Sequence, residues 1–169
     1  MPRPAETDAI SFALKYIQQV QCDSVKEATE MYPQQILDFY VNLPEDKADY
    51  AYADGKWTIK EVLQHVIDAE RVFVYRALRI SRKDTAPLAS FNENEFAQNS
   101  NATARTLASL KEEFAALRKS TDIFLSHLTD EQYLLSGTAS NHYATVNAIG
   151  FIIYGHMLHH IQILKERYL

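Results

Sequence analysis

The sequence predicts an all-α fold, a four-helix bundle with a long crossover loop between its second and third helices. Three observations predict it. Long stretches of the chain place apolar residues at steps of three and four, the period of a helix face turned to a core. Ser24-Val25-Lys26-Glu27 and Thr58-Ile59-Lys60-Glu61 are capping boxes that open two of those stretches. Only four Gly and five Pro occur in 169 residues, and no segment keeps the alternation of a strand.

Residues 1–22 read as a peripheral segment of a single domain spanning 1–169. Within it Ile10, Phe12, Leu14, Tyr16 and Ile17 form one or two helical turns draped over the bundle. The first long helix begins at Ser24 and carries Val25, Ala28, Tyr32, Ile36, Phe39 and Tyr40 on one face. Pro33 predicts a kink near Thr29 to Pro33, because proline removes a helical hydrogen bond and crowds the preceding turn. Leu43-Pro44 ends this helix, and residues 44–56 read as a loop.

The second helix starts at Thr58, with Trp57 before it as a hydrophobic staple. Its seam is Ile59, Val62, Val66, Ala69 and Phe73, and it runs to about Ser81. Residues 83–102 read as a long loop that packs through Phe91 and Phe96. At about 3.3 Å per residue it can cross the whole bundle, so the second and third helices can run parallel. The third helix holds Leu107, Leu110, Phe114, Leu117, Thr121, Phe124 and Leu128 without a slip. Lys111, Glu112, Glu113, Arg118 and Lys119 read as its solvated face. His127 reads as a surface or capping residue at its end. Thr129 to Gln132 opens a short helical turn, and Ser136 to Tyr143 reads as a loop that carries His142. Thr145 is the N-cap of the fourth helix.

Composition excludes several classes. A net charge of −5 argues against nucleic acid as a partner. No apolar run is long enough to span a membrane, and the N-terminus lacks the apolar stretch of a signal peptide. The single Cys22 permits no internal disulfide. These features fit a reducing cytoplasm.

The fourth helix carries the chemistry. Val146, Ile149, Ile153, His156, His160 and Ile163 form its inner face. Four residues exceed one turn slightly, so His156 and His160 lie about 40° apart around the axis and can reach one point. An i, i+4 histidine pair is a recurrent metal-binding device. The plainer alternative is a pair of hydrogen-bonded core histidines. His65 lies beside the seam of the second helix and supplies a third imidazole. Three neutral imidazoles hold a divalent transition metal, Zn or Ni, and leave a coordination position open. Glu61 and His65 do not have the Glu-x-x-His spacing of di-iron bundles.

The run from Lys56 through Trp57 and Glu61 to His65, Asp68, Glu70 and Arg71, followed by Gly155-His156 and His159-His160, resembles the DinB superfamily. More closely it resembles the branch of small bacterial proteins grouped as DinB_2. The resemblance covers about Val25 to Leu169. It implies a four-helix bundle of up-down-down-up topology, with His65, His156 and His160 as metal ligands and His159 turned away. Relatives include thiol S-transferases and metal-dependent hydrolases, and homodimers are common. The expectation is therefore a homodimeric metalloenzyme of small molecules, a low-molecular-weight thiol among its possible substrates. Asp68, His142 and Tyr154 are the candidates for orienting a ligand or transferring a proton. The alternative is a non-catalytic dimeric helical module whose histidines are core residues or hold a structural metal.

Overall fold

The computed structural model describes residues 2–169. Eight helices and one hairpin follow in the order α1 (Ser11–Ile17), α2 (Val25–Met31), α3 (Pro33–Val41), α4 (Ile59–Ser81), α5 (Glu93–Asn99), α6 (Leu107–Ser126), α7 (Asp130–Leu134), β1 (Ser136–Ala139), β2 (His142–Thr145) and α8 (Val146–Arg167). The bundle proper is α2 with α3, then α4, α6 and α8.

Local chemistry accounts for the boundaries. At the start of α4 the Thr58 N–H donates to Glu61 Oε2 at 2.7 Å, and the Glu61 N–H donates to Thr58 Oγ1 at 3.3 Å. The first long helix differs from the kink expected of it. Pro33 stands at the first position of α3, where its missing N–H costs no hydrogen bond. The chain therefore breaks at Tyr32 into α2 and α3.

Two predicted loops are also partly ordered. Residues 83–102 contain α5, capped by the Asn92 side chain, and a 3₁₀ turn begins at Ala102. Residues 136–145 form an antiparallel hairpin in which Ser136 pairs with Thr145 and Ala139 with His142. Its turn, Ser140-Asn141, has φ of +52° and +63°, the double positive φ that matches strand twist in tight hairpins. Leu88 docks on this hairpin by exchanging backbone hydrogen bonds with Thr138 and Ser140.

Side-chain contacts fix the helix directions. Lys60 near the start of α4 donates to the Thr103 carbonyl just before α6, and Glu70 pairs with Arg118 further along both. So α4 and α6 run parallel, joined by the crossover. Lys26 reaches Asp130 beyond the end of α6, while Lys111 near its start reaches the Leu43 carbonyl. So α2–α3 opposes α6. His65 meets His156 at one end of α4, and Arg76 meets Ser140 at the other. So α8 opposes α4. The topology is up-down-down-up.

Arg118 departs from its predicted place on a solvated face. It is 2% exposed, in line with Leu110, Phe114, Thr121 and Leu125 on the buried face of α6. It donates to Glu70 Oε1 at 2.7 Å and to Asp122, which also accepts from the Tyr154 hydroxyl at 2.6 Å. Burial pushes the Glu70 carboxyl up, and the Arg118 charge opposes that shift. Removing one partner of a buried pair strands the other. Arg118→Leu is expected to destabilise the fold by about 3–5 kcal/mol in urea denaturation, and the Glu70→Leu, Arg118→Leu double variant to recover part of that loss.

Candidate metal centre

Antiparallel packing of α4 on α8 brings His65 opposite His156 and His160. All three are buried, at 7%, 4% and 9% exposure. Their ring centroids lie 5.1 Å (His65–His156), 4.9 Å (His65–His160) and 4.5 Å (His156–His160) apart. One nitrogen from each falls within 4.8 Å of the other two. The Nε2 atoms of His65 and His156 face each other at 3.1 Å. Two nitrogens bound to one tetrahedral ion at 2.0–2.1 Å would stand about 3.3 Å apart. The Nδ1 of His160 is buried without a hydrogen-bond partner, an unusual state for a polar atom in a core. Among the described residues no further His, Cys, Asp or Glu joins the cluster.

Burial holds the imidazoles neutral. It depresses His65 to about 4 and carries His156 and His160 well below the usual histidine range. Mutual proximity of the rings lowers His156 and His160 further, and no carboxylate offsets these shifts. Neutral imidazole is the ligating form.

Aromatic side chains wall the cluster. Trp57 lies 4.8 Å from His65, and Tyr16 and Phe73 lie 5.2 and 5.6 Å from His156, ring to ring. Tyr16 reaches His156 because residue 155 is glycine. A Cβ there would stand 1.9 Å from the Tyr16 carbonyl oxygen, so α1 rests directly on the backbone of α8. His65 and His156 form part of the wall of a cavity of about 340 Å³, enclosed also by α1, Phe73, Phe91 and the hairpin. His160 faces a second cavity of about 270 Å³ beside Trp57 and Tyr168.

The other residues singled out in the sequence lie elsewhere. His142 is exposed on β2 at the edge of the larger cavity and does not join the cluster. Asp68 accepts a hydrogen bond from Gln64 and borders a separate, open depression with Arg71 and Phe96. Tyr154 is fully buried and committed to Asp122. His159 is half-buried, its ring 5.4 Å from Tyr16, and stands outside the cluster. The cavity residues that sequence reasoning passed over are Tyr16 and Arg76. Gly155 in mid-helix was the one local sign of the close approach that brings Tyr16 in.

The neutral histidines make the metal-free chain sensitive to acid. Unfolded histidines take up protons below about pH 6.5, whereas the folded His65 does so only near 4. Stability is therefore complete above about pH 6.5 and is lost as pH falls toward 4, by up to about 1.4 kcal/mol per pH unit for each histidine. Urea midpoints of EDTA-treated protein between about pH 7.5 and 5 are expected to fall along this course. Triple replacement of His65, His156 and His160 by Gln should flatten that part of the profile.

The DinB superfamily profile matches residues 28–164. YfiT from Bacillus subtilis, described as a probable metal-dependent hydrolase with an unusual four-helix bundle topology, superimposes with a TM-score of 0.66 at 20% identity, over 98% of this chain and 92% of its own. No curated protein sequence matches the chain.

Proposed function

The chain belongs to the DinB superfamily, and from that premise we propose that it is a metal-dependent enzyme of small molecules, a hydrolase or a thiol S-transferase. His65, His156 and His160 hold one divalent transition ion, Zn or Ni. The observation that carries this reading is the convergence of three buried imidazoles, two of which line a cavity. The facing Nε2 pair and the unpaired His160 Nδ1 fit a cation shared by the rings. An all-imidazole set suits Zn or Ni.

When bound, such an ion lowers the pKa of a water or thiol toward neutrality, the chemistry that hydrolysis and thiol transfer share. The protein supplies the rest. Burial keeps the histidine ligands deprotonated. Three protein donors leave room for a substrate or water. Phe73, Phe91, Ile149 and Ile152 line the cavity, exclude water and hold an apolar substrate body. Tyr16, whose hydroxyl is pushed up to about 12 mainly by burial, stays protonated at neutral pH and is placed to donate a hydrogen bond to a substrate oxygen. The description of YfiT favours hydrolysis; transfer of a low-molecular-weight thiol would draw on the same metal-activated chemistry.

The protein purified without a histidine tag or added metal is expected to carry about one Zn or Ni per chain by elemental analysis. His156→Ala and His160→Ala should each lose it while keeping their far-ultraviolet circular dichroism. Full metal stoichiometry in either variant would overturn the ligand assignment. A metal-containing protein would then be screened with ester and amide substrates, and with thiols paired with electrophiles.

A further inference from the structure

Two arginines are buried in this chain, and only one has a counter-charge. Arg118 is ringed by Glu70 and Asp122. Arg76 is 8% exposed and forms no ion pair among the described residues. Its Nη2 donates to the Ala89 carbonyl at 2.7 Å and to Ser140 Oγ at 2.8 Å. Its Nε is buried with no partner. A guanidinium cannot shed its proton to escape such a site, and an uncompensated buried charge is strongly unfavourable. Burial alone weakens its hold on that proton, with no acid acting against it.

Arg76 lines the same 340 Å³ cavity as His65 and His156. Glu93, the acidic side chain on that cavity's wall, is exposed and makes no ion pair with Arg76. On α4 the residues His65, Ala69, Phe73 and Arg76 succeed one another at steps of four, four and three, all facing the cavity. Eleven residues of helix separate His65 from Arg76 by about 16 Å between Cα atoms.

We propose that Arg76 is the receptor for an anionic group on the ligand of this cavity, a carboxylate or a similar planar oxyanion. The ligand carries its charge at one end, rests an apolar body on Phe73, Phe91 and Ile152, and presents its other end to the histidines. Nη2 spends both of its N–H groups on Ala89 and Ser140, so a carboxylate is held by the charge and the remaining donors of the guanidinium, and the Phe91 ring 5.8 Å away supports the cation. Calling the ligand a substrate rests on the metalloenzyme reading; anion binding at Arg76 does not. The competing role, a staple joining the crossover to the hairpin through Nη2, requires no preference for charged ligands.

The test compares phenylbutyrate with its uncharged twin phenylbutyramide by calorimetry, in the protein as purified and after EDTA treatment. The carboxylate is expected to bind about tenfold or more tightly in both. Arg76→Met should erase the difference, and His156→Ala should keep it. Equal affinities in the unmodified protein, or no carboxylate binding up to about 10 mM, would overturn the proposal. A preference that survives Arg76→Met but disappears with EDTA or in His156→Ala would place the carboxylate on the metal, defeating this proposal and leaving the metal reading intact. An Arg76-dependent preference in a protein that binds no metal would do the reverse. Should Arg76→Met fail to fold, the Arg76 Nε–H resonance of the unmodified protein decides. It should move with phenylbutyrate and stay in place with phenylbutyramide, and no movement with the carboxylate would overturn the proposal.

Discussion

The seam between α4 and α8 has to bury three imidazoles without a carboxylate to neutralise a proton among them. The rest of the architecture serves that condition. His65 meets both His156 and His160 only because α8 opposes α4. Trp57, immediately before the α4 cap, covers His65, and Tyr16 covers His156. These rings exclude water, and exclusion of water keeps the histidines in the form that binds a cation. An ordinary bundle would fill the same seam with aliphatic side chains and gain stability from it. Here that stabilisation is exchanged for three nitrogen donors.

The two buried arginines show how the bundle handles charge in its interior. Arg118 sits among a carboxylate on α4, a carboxylate on its own helix and a phenol on α8, and ties three of the long helices together. Its charges are matched within the fold, so it belongs to the framework. Arg76 meets only neutral acceptors, from the crossover and the hairpin turn, and faces a cavity. The structural difference between them is a missing acid, and it separates a framework charge from one available to a ligand.

Most of the frame was legible in the sequence, because local signals and tertiary structure agree there. The Thr58 capping box, the regular face of α6 and the histidine spacing of α8 each depend on residues a few positions apart. The misreadings arise where that agreement fails. Arg118 falls on a clean stripe with Leu110, Phe114, Thr121 and Leu125; Leu117 and Phe124, both only partly buried, drew attention to a neighbouring stripe. The hairpin strands have four residues each, too short for alternation to register. Its turn uses Ser-Asn where Asn-Gly or Asp-Gly would have announced it. Pro33 was a clear break signal, but whether proline kinks one helix or begins another depends on the hydrogen bonds around it. Tyr16 could not be found locally, since its partner is about 140 residues away in sequence. Arg76 is legible as a member of the His65 face, but not as an arginine without an acid.

The arrangement also bears on whether the cluster serves structure or chemistry. A structural metal site closes its coordination sphere with protein donors. This cluster offers three from the described residues, and the space beside it is a cavity rather than packed core. One wall of that cavity is α1, which lies outside the four-helix frame and can approach only because Gly155 leaves the α8 backbone bare. Gly155 directly precedes His156, so the residue that admits the wall is covalently joined to one that lines the site. The bundle thus fixes the three nitrogens, and the peripheral segment together with the hairpin shapes the space in front of them. Changes in α1 or β2 can therefore alter which molecule fits while leaving the donor set in place. A fixed set of three nitrogens with a separately built cavity wall is a physical basis for one fold to accept different molecules.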